Sequence, residues 1–123
     1  MSLKPLNPIV ATLVENLNVD LREDFEERSA IMEYDGGIER TLAEALALLC
    51  VLHNHPACLQ PLVALEVELN GESRQLLTTA LGEIRLRIES MGGVVVRVLD
   101  PVELIRAEFD EAVLLSAFST APL

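Results

Sequence analysis

The sequence predicts a helix-rich α/β fold: N-terminal helices with an αα-hairpin, followed by a small β-α-β-α unit with two short parallel strands. Three observations lead there. Apolar residues recur at helical spacing through residues 1–53. After Pro61 the period changes, and Leu65, Val67 and Leu69 alternate with Glu66 and Glu68. Further on, Val94, Val95, Val96 and Val98 form a β-branched run between two helical patterns. Residues 1–123 make one domain, 1–53 its helical part and 62–118 its βαβα part, with no internal repeat and no separating linker.

The first helix starts at Asn7, a capping residue, with Pro8 in the first turn, and its face is Ile9, Val10, Leu13, Val14 and Leu17. Asn18 ends it. A second helix begins near Asp20, which has capping-box spacing to Glu23. It places Leu21, Phe25 and Met32 on one side with Ile31 beside them, and Gly36-Gly37 stops it. Thr41 and Glu44 form a capping box for a third helix over 42–53, apolar almost all the way round and therefore buried on most sides.

The segment 62–69 reads as a half-exposed strand closed by Asn70-Gly71, with continued helix as the alternative. From Ser73, Leu76, Leu77, Ala80, Leu81, Ile84, Ile88 and Met91 predict a single helix ending at Gly92-Gly93. The valine run is the second strand. Asp100, Pro101 and Glu103 then start a last helix with core residues Leu104, Ile105, Phe109, Ala112 and Val113, and Ser119–Leu123 is a frayed tail.

Composition narrows the function classes. Twenty acids against nine bases give −11, with a single lysine, Lys4. That balance opposes direct nucleic-acid binding, which needs clustered Lys and Arg, and opposes docking on an anionic membrane. No apolar run reaches the roughly 20 residues that span a bilayer, and MSLKPLNP lacks a signal-peptide core, so the cytoplasm is the expected location. The aromatic residues are Phe25, Tyr34, Phe109 and Phe118. Pockets usually use aromatic walls and a few convergent polar groups, so their scarcity points away from an enzyme and from a cofactor. A positive mean hydropathy of +0.35 in a small chain points to exposed apolar surface that a protein partner or a second copy would cover.

Two clusters are candidates for chemistry. Cys50, His53, His55 and Cys58, spaced C-x2-H-x-H-x2-C, are the ligand types zinc prefers. Structural zinc sites usually join two separated ligand pairs, whereas these four fall within nine residues, so packing and turn roles are expected of them instead. A Cys50–Cys58 disulfide is disfavoured in a reducing compartment, and Cys58 is left as a lone thiol. The second cluster is the acidic run, with Glu23, Asp24, Glu26, Glu27, Glu33 and Asp35 as candidate interaction residues. Dense carboxylates on a helix attract a basic protein surface or imitate nucleic-acid phosphates, although such a face also serves solubility alone. Glu66 and Glu68 share a strand face but lack a pocket, and neither glycine pair fits a phosphate loop.

The stretch Phe25-Glu26-Glu27-Arg28-Ser29-Ala30-Ile31-Met32-Glu33-Tyr34-Asp35-Gly36-Gly37 resembles helical hairpins in proteobacterial mobile-element proteins that accompany replication or primase-like modules. The resemblance covers about a fifth of the chain and departs after the hairpin, where nothing looks like a primase core. It implies a mobile-element context and an interaction hairpin, and carries over no functional residue. The expected function is a non-enzymatic protein-interaction module, a homodimer, acting through the acidic hairpin or the apolar third helix. An inhibitor imitating nucleic-acid charge against a DNA-handling or defence enzyme, and a small zinc- or thiol-dependent protein, are the alternatives.

Overall fold

The computed structural model describes residues 5–109. The chain divides into two units, one of residues 1–59 together with 105–123, and one of Gln60–Leu104. Ala112, Val113, Phe118 and the tail 119–123 lie outside the described residues.

The first unit contains α1 (Pro8–Glu15), α2 (Val19–Tyr34) and α3 (Arg40–Asn54). Asn7 caps α1, its Oδ1 accepting from the Ile9 and Val10 amides at 2.9 and 3.2 Å, and Pro8 takes the first turn. The helix ends at Asn16, two residues before Asn18. Asn18 instead caps α2 by accepting from the Leu21 amide, which replaces the predicted Asp20–Glu23 box. Arg22 ties the two helices together, its Nη2 donating to the Glu15 and Leu17 carbonyls, both at 3.1 Å.

Helices α2 and α3 pack along one another, joined by a short connection in which Gly37 adopts φ +65°. The predicted Thr41–Glu44 box does not form. Glu39 caps α3 through the Thr41 amide, and Glu44 turns inward. Ala43 to Leu48, Val51 and Leu52 of α3 are all buried, so the nearly uniform apolar character of this helix is consumed by packing. Each fully buried Leu contributes about 1.5–3 kcal/mol.

The second unit corrects the predicted topology. It holds β1 (Val63–Leu69), β2 (Glu72–Thr78), α4 (Leu81–Ser90) and β3 (Val94–Leu99), and leads into α5 (Pro101–Glu108). The sheet is antiparallel and three-stranded, in the order β2-β1-β3. The two expected strands are antiparallel neighbours, not a parallel pair, and the long helix from Ser73 to Met91 does not exist. Its first third is β2. The reason is the turn: Asn70 and Gly71 take φ +54° and +79°, the left-handed pair of a two-residue type I′ hairpin. This reverses the chain at once and lays Glu72 opposite Leu69. Helix begins only after the Thr78 hydroxyl accepts from the Ala80 amide at 2.9 Å, turning the chain out of the strand.

Strands β2 and β3 thus run in the same direction on either side of β1, with α4 as the crossover. Register places Val63, Leu65 and Val67 on one face, where Leu65 and Val67 pack with Ile88 of α4 and with the partly buried Leu81, Ile84 and Val95. Helix α4 ends in a Schellman motif: Gly92 has φ +81°, and the Gly92 and Gly93 amides donate to the Glu89 and Ile88 carbonyls. A β-bulge leaves Val96 as the extra residue of β3, between Val95 opposite Val67 and Arg97 opposite Glu66. Asp100 caps α5 as expected, accepting from the Glu103 amide at 2.8 Å.

Candidate functional site

Helix α2 displays the acidic run, and its phase decides which acids face outward. Phe25 and Met32, seven residues apart, are buried. The opposite stripe is Asp20, Glu23, Glu27, Ile31 and Tyr34, spaced 3, 4, 4 and 3, and every one of these is exposed. Tyr34 is 78% exposed, against 42% for Ile31. The stripe therefore runs from three carboxylates to an isoleucine and an aromatic ring. Of the six candidates, Glu23 and Glu27 lie on it, and Asp35 is exposed at the helix C-cap. Asp24, Glu26 and Glu33 are half-buried beside it, Asp24 held by Arg28 at 3.0 Å in an i,i+4 pair. Sequence reasoning missed Tyr34 and set Ile31 near the core; counting the helical phase from Phe25 and Met32 would have placed both outside.

Glu44 is a different kind of acid, 6% exposed on α3. Its Oε1 accepts from the Leu6 amide at 3.1 Å and lies 3.6 Å from Arg40 Nε. It holds the chain entering α1 and presents nothing to a ligand.

The Cys/His segment spans the end of α3 and the loop beyond it. Cys50 is half-buried on α3, His53 exposed in its last turn, His55 exposed as its C-cap, and Cys58 half-buried, its amide donating to the His55 carbonyl. No group of three or more His, Cys, Asp or Glu side chains among the described residues converges in a metal-holding arrangement. Both thiols are free. Burial pushes the Cys50 thiol above its ordinary range, with Asp24 adding to the effect and Arg28 opposing it. Burial raises Cys58 too, against a lowering backbone hydrogen bond. Thiolate nucleophilicity needs the opposite shift.

The sheet supplies a second exposed feature. Among the described residues strand β3 pairs with β1 on one side only and is an edge of the sheet. Val94, Val96 and Val98 are 59%, 50% and 40% exposed along it. Its one charge, Arg97, donates through Nε to Glu66 Oε2 at 2.7 Å. The other edge, β2, carries Glu72, Ser73, Arg74 and Gln75, all exposed, with Arg74 paired to Glu72 at 2.9 Å. Polar and charged residues blunt an edge against strand pairing. The charges on β2 and the bulge at Val96 in β3 each blunt an edge of the sheet.

Among the described residues no helix is long and apolar enough to cross a membrane. Comparison with protein-family models, curated proteins and solved structures found no match.

Proposed function

We propose that this chain is a non-enzymatic protein-interaction module of bacterial mobile-element origin that acts in the cytoplasm. Its outer α2 stripe receives a basic protein surface with an apolar end. The observation that carries this reading is the composition of the stripe, with Asp20, Glu23 and Glu27 leading into exposed Ile31 and Tyr34. Carboxylates steer a basic partner and set its register, while a tyrosine supplies the buried anchor that dominates interface energies. Asp20 and Glu27 lie seven positions apart, about 10 Å of helix, and the stripe then turns apolar. That pattern suits a protein partner better than imitation of an extended phosphate row.

The test is affinity capture with cross-linking, in parallel for the wild type, Glu23→Lys/Glu27→Lys and Tyr34→Ala. The reading expects one basic protein held by the wild type, lost to the charge reversal and released as salt is raised, with Tyr34→Ala weakening it at every salt concentration. Identical capture by all three proteins refutes it.

A further inference from the structure

We draw no further inference here: the strongest candidate, the outward face of α4 on which Leu86 stands 70% exposed between Arg85 and Arg87, is an unpartnered face, and nothing in the structure shows what covers it.

Discussion

Replacing Gly93 with alanine tests how tightly α4 is seated on the sheet. A Cβ there would stand 2.8 Å from Ile88 Cγ2, 3.1 Å from the Glu68 carbonyl oxygen and 3.1 Å from Leu69 Cδ1. The closest neighbour is the branch of a buried β-branched residue on a helix, whose χ1 has one strongly preferred setting, so it cannot swing aside. The Glu68 carbonyl is strand backbone. Overpacking of this kind costs about 1–3 kcal/mol. Opposing it, losing a glycine reduces unfolded-state entropy, which stabilises by about 0.4–1 kcal/mol where the native backbone is compatible. The clash wins, leaving a net loss of roughly 1–2 kcal/mol, or about 4–8 °C in Tm. Gly82→Ala is the internal control: it lies in α4 with nothing within 4 Å of its Cβ, so only the helix gain applies and the protein should become more stable. Thermal and urea unfolding measure both. Ile88→Leu removes the offending Cγ2, so Gly93→Ala should cost less in that background. A neutral or stabilising Gly93→Ala, or equal cost in both backgrounds, refutes the packing argument.

Other expectations follow from single contacts. Asn7→Ala removes the acceptor for two amides and should cost about 1 kcal/mol in urea unfolding. Glu44→Ala leaves the Leu6 amide without its acceptor in a buried place and should cost about 1–2 kcal/mol, whereas Glu44→Gln, which keeps an acceptor, should cost less. Cys50 and Cys58 should react with iodoacetamide at about pH 8 more slowly in the folded than in the urea-unfolded chain. The same shifts fix a pH dependence. With both thiols raised from 9.0 in the folded chain, the folded form holds protons that the unfolded form gives up around that pH, so this stabilisation is complete well below 9.0 and is shed as pH rises through the higher folded values. Urea midpoints should therefore fall on the alkaline side.

The helical unit was legible because each helix obeys a local rule. Phe25 and Met32, Asn7 and Pro8, and the unbroken apolar run of α3 each declare their role within a few residues. The sheet was not, because β2 is an edge with exposed Glu72–Leu76 and therefore no apolar alternation to read. Its Leu76 and Leu77 happen to continue the helical spacing of Leu81, Ile84 and Ile88. What should have prevailed was Asn70-Gly71 after an alternating strand, a local hairpin signal that demands a second strand beginning at Glu72. Without β2 there was no third strand, and a parallel pair was the simplest way to join β1 to β3 through one helix.

The acidic surface was legible as composition but not as geometry. Six carboxylates could be named from the sequence, yet helical phase and pairing to Arg28 separate Glu23 and Glu27 from Asp24, and only the phase exposes Tyr34. Charge then gives the proposed α2 surface a signature of its own. Contacts at Asp20, Glu23 and Glu27 gain from attraction between unlike charges, and screening weakens them. One titration with salt therefore tests the proposed α2 contact before a single residue is changed. The slope decides it: a complex that loosens as salt is raised is expected of the α2 stripe, and one indifferent to salt or tightened by it refutes that reading.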